Sequence, residues 1–187
     1  MKQGWEIKRL GEVCEKKQQI KRATKKYSPT GNVAYIDISA IDSTINEITE
    51  PTILCFRDAP SRAQQVVERD DILVSLVRPN LKKIAQGEFY ATEHAVVCNN
   101  IINDIIPLWM YYALRFNNLN RFAQGVAQPG ISVSIINEMP LILPPLPLQQ
   151  EFAKKIEAIE KQKELIKKSI GEVDTLFNSR MDYYFSE

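Results

Sequence analysis

The chain has 187 residues, a length that predicts one ordinary domain or one domain with an accessory element. Because 44% of the residues are hydrophobic and 25% are charged, the chain can bury a core and is not disordered by composition. The net charge of +1 excludes a uniformly basic nucleic-acid coat, although a local basic face remains open.

Strand patterns come first along the chain. Residues 33–38 are β-branched and weakly alternating, residues 72–77 form an apolar run, and residues 89–90 and 95–98 are shorter segments of the same kind. Residues 105–116 have apolar positions at helical spacing, with a proline suited to the first turn. Strands without regularly alternating helices predict an α+β fold with a mixed sheet.

A proline cluster then separates two parts of the chain. Pro144, Pro145 and Pro147 predict a stiff hinge, and no proline follows. We therefore predict a domain over residues 1–146 and one long helix over residues 147–187.

The predicted helix has a heptad seam in four-three alternation, which is typical of coiled coils. A helix over residues 147–184 is about 55 Å long, whereas a domain of some 145 residues is roughly 30–35 Å across. Folding back onto its own domain is the alternative, but pairing with another long helix fits this length better. The seam comprises Phe152, Ile156, Ile159, Lys163, Ile166, Ile170, Val173 and Phe177, followed by Arg180 and Tyr184.

Catalytic and metal-binding patterns are missing from the sequence. His94 stands alone, and no phosphate-binding glycine motif or nucleophile elbow is present. Cys14, Cys55 and Cys98 form no C-x-x-C pair, which argues against disulfides and zinc. We predict a non-enzymatic protein without a cofactor or metal of its own. With no signal peptide and no apolar stretch that spans a bilayer, we expect it in the cytoplasm, without a membrane partner.

Basic residues cluster in one early segment, KKQQIKRATKK, and return after the apolar run of residues 72–77. Lysine and arginine suit phosphate contacts, while arginine, asparagine and glutamine suit base edges. Runs of charge are more often solvated faces, so composition alone leaves nucleic-acid binding open.

Four motifs in sequence order resemble the specificity subunits of type I restriction-modification systems. They are GWEIKRLGEVCE, APSRAQQVVERDDILVSLVRPNLKKIA, RFAQGVAQPGISVSIINEMPLILPPLPLQQEFAKKI and LFNSRMDYYF. The third motif is similar to the segment that leads into the family's long helix, and the fourth is similar to the end of that helix. The resemblance covers nearly the whole chain.

The resemblance implies a non-catalytic subunit that recognises double-stranded DNA. Methyltransferase subunits bring S-adenosylmethionine, and an optional restriction subunit uses ATP. The usual member carries two recognition domains and two long helices, so this chain resembles a half-size form. We expect it to form a homodimer through the seam and to recognise an interrupted palindrome. The alternative is a protein-interaction module that pairs through its helix without reading DNA.

The candidate DNA-binding residues are the early basic segment and the turn after residue 77. Arg78 has a second interpretation, because it can pair with Asp70 or Asp71 and support the fold. The candidates are Lys21, Arg22, Lys25, Lys26, Arg78, Asn80, Lys82 and Lys83.

Overall fold

The computed structural model describes residues 3–14, 31–45, 47–60, 63–67, 71–77, 84–86, 89–92, 95–98, 104–125 and 129–185. The chain divides into two compact units, Met1–Leu146 and Pro147–Glu187. The first unit combines small β-sheets with short helices, and the second is a single long helix. The predicted α+β class is confirmed.

Nine strands in the described part of the chain form three small sheets. The four-stranded sheet has the order β3-β2-β7-β4 and is mixed, because β2 and β7 are parallel and its other pairs are antiparallel. The other sheets are antiparallel, with the orders β6-β5-β8 and β1-β9. The strands are β1 (Glu6–Arg9), β2 (Asn32–Ile36), β3 (Thr52–Cys55), β4 (Ala63–Val67), β5 (Ile72–Ser75), β6 (Ile84–Gln86), β7 (Phe89–Thr92), β8 (Ala95–Cys98) and β9 (Pro140–Leu143).

Helix starts follow local chemistry. Pro107 occupies the first turn of its helix, where the missing N–H is not needed. Ser132 caps the next helix, since its hydroxyl accepts from the Ile135 N–H at 3.3 Å. The helices are α1 (Leu10–Val13), α2 (Pro107–Phe116), α3 (Val133–Asn137) and α4 (Leu146–Phe185), and 3₁₀ turns cover Ile38–Ala40, Phe56–Asp58 and Leu119–Phe122.

Two predicted strands end earlier than the apolar pattern indicated. The strand predicted over residues 33–38 stops at Ile36, because the Asp37 carboxylate accepts from the Ser39 N–H at 3.2 Å and starts a 3₁₀ turn. The strand predicted over residues 72–77 stops at Ser75. Its hydroxyl donates to the Val77 carbonyl at 2.8 Å and accepts from the Val77 N–H at 3.3 Å. In both places a polar side chain binds the backbone that a longer strand would use.

Strand β5 supplies side chains to two separate hydrophobic cores. Ile72 and Val74 lie in the larger core, with residues of α1, α2, α3 and β9. Leu73, between them, lies in a smaller core with Ile36 and Val67. Because side chains alternate across a strand, a strand that serves both cores needs apolar residues at successive positions. This explains the three consecutive apolar residues Ile72, Leu73 and Val74.

Side chains from α2 and from the residue after it bind one edge of the two-stranded β1–β9 sheet. Two carbonyls of β9 accept side-chain hydrogen bonds there. The Trp109 indole N–H donates to the Ile142 carbonyl at 3.1 Å, and the Asn117 amide donates to the Pro140 carbonyl at 3.3 Å. Trp109 also packs edge-on against Trp5, with ring centroids 6.1 Å apart. These contacts tie this sheet to the C-terminal half of the unit.

Replacing Ile72, which is 0% exposed, by alanine is expected to lower the free energy of unfolding by about 2–5 kcal/mol, through lost burial and a residual cavity. The matched control is Ile53→Ala, the same change at a strand position that is 64% exposed. Its cost should stay near 0.5 kcal/mol, on the order expected for surface changes. Urea unfolding measures both, and equal costs would contradict the two-core role of β5.

Candidate nucleic-acid interface and dimer seam

The eight candidate DNA-binding residues all lie outside the described residues. Four belong to the early basic segment, and four belong to the stretch between β5 and β6. They are Lys21, Arg22, Lys25, Lys26, Arg78, Asn80, Lys82 and Lys83. Their assignment therefore stays a prediction from sequence.

The chain just beyond β5 is paired with a distant segment. The Ile131 N–H donates to the Leu76 carbonyl at 2.8 Å, and Val77 forms an antiparallel bridge with Gly130. Gly130 and Gln124 exchange two backbone hydrogen bonds of 2.8 and 2.9 Å. Residues 124 and 130–131 thus lie beside the end of the strand that leads to Arg78. No local sequence pattern indicated this contact, because it joins segments some fifty positions apart.

The end of α2 carries an aromatic and basic cluster. Phe116 is 80% exposed, and its ring stacks on Tyr112 with centroids 6.3 Å apart and planes at 20°. The Arg115 guanidinium lies 5.9 Å from the centre of the same Tyr112 ring, within cation–π range. Burial raises the pKa of the Tyr111 hydroxyl above its usual value, and the neighbouring Arg115 partly opposes that shift. The sequence analysis did not single out this cluster.

The predicted seam of α4 is largely exposed in the single chain. Phe152 and Ile156 are partly buried, but from Lys161 to Phe185 every residue of α4 is exposed. An uncovered apolar stripe of this length is unusual for a monomer and marks an interaction surface. The exposed fractions of the apolar seam residues beyond Ile156 are 48% for Ile159, 60% for Ile166, 57% for Ile170, 64% for Val173 and 62% for Phe177.

Further apolar residues widen this face beyond the strict heptad positions. Leu165 and Leu176, exposed by 58% and 59%, lie beside the seam, and Met181 and Tyr183 continue it towards the end of the helix. Leu165 and Asp174 flank a shallow apolar groove on α4 that also contains seam residues. Counting only four-three spacing missed these positions, whereas a helical wheel over all apolar residues would have found them.

Ion pairs on α4 join side chains about one helical turn apart. Glu151 and Lys155 form such a pair at 2.6 Å. Lys163, a polar seam position, pairs with Glu160 at 2.7 Å. Lys168 lies 3.9 Å from Glu172, one turn after it in the helix, rather than pairing with Glu164, one turn before it. An exposed lysine can reach acidic residues four positions away in either direction. The charge of Lys163 is therefore compensated within its own helix.

Metal-binding groups and membrane-spanning helices are not found among the described residues. Those residues contain no group of three histidine, cysteine or acidic side chains placed to hold a metal ion. Cys14 is buried and Cys55 half-buried, and neither forms a disulfide in the described part of the chain. None of the helices in the described ranges is both long and apolar enough to cross a membrane.

Comparison with known families gives a match over both units. Residues 2–175 match the family described as the type I restriction modification DNA specificity domain. The chain belongs to this family. The specificity subunit of the type I restriction enzyme EcoprrI from Escherichia coli is 36% identical over 94 residues, which are 50% of this chain and 22% of that subunit.

Solved structures of specificity subunits share the architecture. The HsdS subunit from Thermoanaerobacter tengcongensis has a TM-score of 0.74 at 25% identity, over 98% of this chain and 49% of that one. A structure from work on complex assembly and conformational transition of the type I R-M system has a TM-score of 0.72 at 26% identity, over 98% and 49%. The S subunit from M. genitalium, at 13% identity and a TM-score of 0.59, shares the fold.

This specificity-family chain spans about half the length of the solved subunits it matches. The similarity covers 98% of the chain, so it includes residues of the first unit and of the long helix. The long C-terminal helix is thus an element of the family architecture.

The Glu151–Lys155 pair yields a pH prediction. The hydrogen-bonded Lys155 ammonium lowers the pKa of the Glu151 carboxyl below its usual value, so Lys155→Met should raise that pKa. Carbon NMR of the side-chain carboxyl measures it. A carboxyl with a lowered pKa stabilises the fold above its unfolded pKa and loses this effect as pH falls through the folded pKa.

The stability difference between Lys155→Met and the unaltered protein should accordingly vanish in acid. Lys154→Met, the same change at the neighbouring exposed position, is the control and should leave the Glu151 pKa unchanged. A Glu151 pKa that does not respond to Lys155→Met would contradict the assigned pair.

Proposed function

We propose that this chain is the DNA-reading subunit of a type I restriction-modification complex and that it has no catalytic activity of its own. The observation that carries the proposal is the family match over residues 2–175, which includes the mixed-sheet unit and most of α4. The structural similarity over 98% of the chain supports it independently. In this role the chain acts in the cytoplasm on double-stranded DNA.

Phosphate contacts come from the two basic segments in this proposal. Lys21, Arg22, Lys25 and Lys26 carry four positive charges within six positions, with no acidic residue between them. Such clustering suits the sequence-independent part of DNA binding, which depends on neutralised phosphates. Lys82 and Lys83 have the same role, and Arg78 and Asn80 contact DNA beside them.

Self-association through the seam completes the proposal. The exposed apolar residues of α4 extend over most of a helix that is 40 residues, or about 60 Å, long. A second copy offers an identical seam, and a closed twofold pair uses the same surface on both chains. Lys163 enters such an interface with its charge already compensated by Glu160, which lowers its cost there.

Twofold symmetry has a consequence for the DNA target. Two identical recognition units related by a twofold axis bind identical half-sites in inverted orientation. The target is then an interrupted palindrome, with a gap that the paired helices set. Methyltransferase subunits supply S-adenosylmethionine and catalysis, and a restriction subunit, where the system has one, supplies ATP-dependent activity.

A protein-interaction module is the second candidate function. The exposed apolar face of α4 and the net charge of +1 favour it, because both suit helix pairing without DNA. Selection of bound duplexes from a random pool, with a methyltransferase subunit present, separates the two functions. Enrichment of a bipartite sequence supports the first function, and binding without any sequence preference supports the second.

Catalysis by the chain alone is tested separately. The purified chain is incubated with duplex DNA and labelled S-adenosylmethionine, with and without a methyltransferase subunit. We expect methyl transfer only when that subunit is present. Transfer by the chain alone would overturn the non-catalytic assignment.

Replacing Lys21, Arg22, Lys25 and Lys26 together by alanine should weaken binding about equally for all DNA sequences. The slope of log K against log salt should fall by roughly 0.9 for each lost phosphate contact. Fluorescence anisotropy at several salt concentrations measures the slope. The control removes the same charge elsewhere, through alanine at Lys154, Lys161, Lys167 and Lys168 of α4. Equal slopes for the two variants would mean that the early segment is only a solvated face.

Replacing Ile159 and Ile166 by aspartate should convert the dimer to monomers that lose affinity for the bipartite site, because charge cannot be buried unpaired in the seam. Sedimentation at roughly 20 μM, a generous concentration for a functional dimer, measures the state. Ala158→Asp with Asn178→Asp is the control, since it adds the same charge away from the seam. A monomeric unaltered chain at that concentration would refute the dimer.

A further inference from the structure

The surface that follows α2 has an unusual composition. Residues 105–137 contain no aspartate or glutamate, although acidic residues are frequent elsewhere in the chain. Within this stretch, Phe116 projects an 80% exposed ring at the end of α2. Its ring is stacked on Tyr112, so the end of α2 presents an aromatic surface to a partner.

Four polar side chains extend this surface. The 3₁₀ turn Leu119–Phe122 buries Leu119, which is 1% exposed, and thereby leaves Asn118, Asn120 and Arg121 exposed. Gln124 follows and is also exposed. No side-chain hydrogen bond or ion pair joins any of the four to another described residue. The neighbouring Asn117 differs, since its amide donates to the Pro140 carbonyl at 3.3 Å.

The turn is held in place by backbone hydrogen bonds. The N–H groups of Arg121 and Ala123 donate to the carbonyls of Asn118 and Asn120 at 3.1 and 3.2 Å. Gln124 is bonded in both directions to Gly130, and the next residue, Ile131, donates to the Leu76 carbonyl at 2.8 Å. The exposed side chains are therefore carried by a fixed backbone that is tied to the end of β5. These backbone hydrogen bonds hold the exposed side chains in a defined arrangement before any partner binds.

This set of side chains matches the chemistry of base edges. Asparagine and glutamine form bidentate contacts with adenine, arginine does so with guanine, and an apolar ring contacts the thymine methyl group. The absence of acidic residues avoids repulsion by phosphates. A partner protein would also accept aromatic and arginine side chains. Exposed carboxamides without a side-chain partner among the described residues, in a stretch of sequence without acidic residues, favour DNA.

We propose that Phe116, Asn118, Asn120, Arg121 and Gln124, which we call the amide turn, form a base-contacting surface of this subunit. The inference rests on the proposed function and adds specificity-determining residues to it. The basic segments hold the phosphates, and the amide turn discriminates among sequences. The hydrogen bond between Ile131 and Leu76 and the pairing of Gly130 with Gln124 fix the position of the amide turn beside the end of β5.

The test compares two duplexes for each variant. The unaltered 187-residue protein first selects a preferred duplex from a random pool. Affinities for that duplex and for random duplex are then measured with Asn120→Ala, Arg121→Ala, Gln124→Ala and Phe116→Ala, singly and combined. Each contact to a base should cost roughly 5- to 150-fold on the preferred duplex. Affinity for random duplex should change by less than about threefold, apart from a small fall in salt slope at Arg121.

Two variants outside the amide turn are matched controls. Arg57→Ala removes an exposed arginine that lies 3.7 Å from Asp58, and Gln150→Ala removes an exposed carboxamide of α4. Both should leave the ratio of the two affinities unchanged. Circular dichroism and the Tm verify that the variants fold. If the combined variant is unstable, Arg121→Ala alone carries the test, since it changes one exposed side chain and adds no charge that would repel both duplexes.

The outcomes separate this inference from the proposed function. If the unaltered protein selects a sequence and the combined variant keeps the same ratio of affinities, the amide turn is not a base contact and only this inference fails. Equal losses on both duplexes would likewise overturn it in favour of phosphate contact. Loss of methyltransferase-subunit binding with unchanged DNA affinity would make the turn a protein-docking surface. An unaltered protein without sequence preference would overturn both proposals.

Discussion

The burial of β5 on both faces is the constraint on which the first unit depends. Four consecutive residues, Ile72–Ser75, lie at 0–2% exposure, and alternate side chains enter two different cores. One strand is thus the common wall of both cores, and its two neighbours, β6 and β8, are set in register by it. A slip by one residue would exchange the two sets of side chains and disrupt both cores together. The hydrogen bond from Ile131 to Leu76 then extends this fixed geometry to Gly130 and Ile131 and, through the pairing of Gly130, to Gln124.

Charge is distributed unevenly along this nearly neutral chain, and residues 105–137 contain no acidic residue. On α4, lysine and glutamate alternate and pair, as in Lys155–Glu151 and Lys163–Glu160. These pairs cancel most of the field of the helix without contributing much stability, since they are exposed. The stretch 105–137 contains Arg115 and Arg121 but no acidic residue, so no neighbour in the sequence offsets their positive charges. Net charge therefore says little here about where a polyanion would bind.

Local sequence patterns predicted the strongly periodic and apolar elements of this fold, but neither its other short strands and helices nor the contacts between elements. The apolar run at Ile72 and the helical spacing after Pro107 each name a strand or helix, because periodicity reports the buried face directly. Parallel pairing of β2 with β7 and the bridge between Val77 and Gly130 depend on partners that are distant in the sequence. The amide turn escaped notice for a different reason, since asparagine after a helix is ordinary turn chemistry. Only its combination with exposed Phe116 and the missing acidic residues distinguishes it.

The side-chain hydrogen bonds along the edge of β9 affect which substitutions such a chain can accept during evolution. A free strand edge invites pairing with any other exposed strand, which is a common route to aggregation. Here Trp109 and Asn117 occupy the outward carbonyls of Ile142 and Pro140 with side chains that belong to the scaffold. Substitutions in the neighbouring exposed turn leave that protection untouched. A protein that must acquire new DNA targets can thus change its contact residues without exposing a strand edge. Its tendency to aggregate then stays low while its DNA recognition changes.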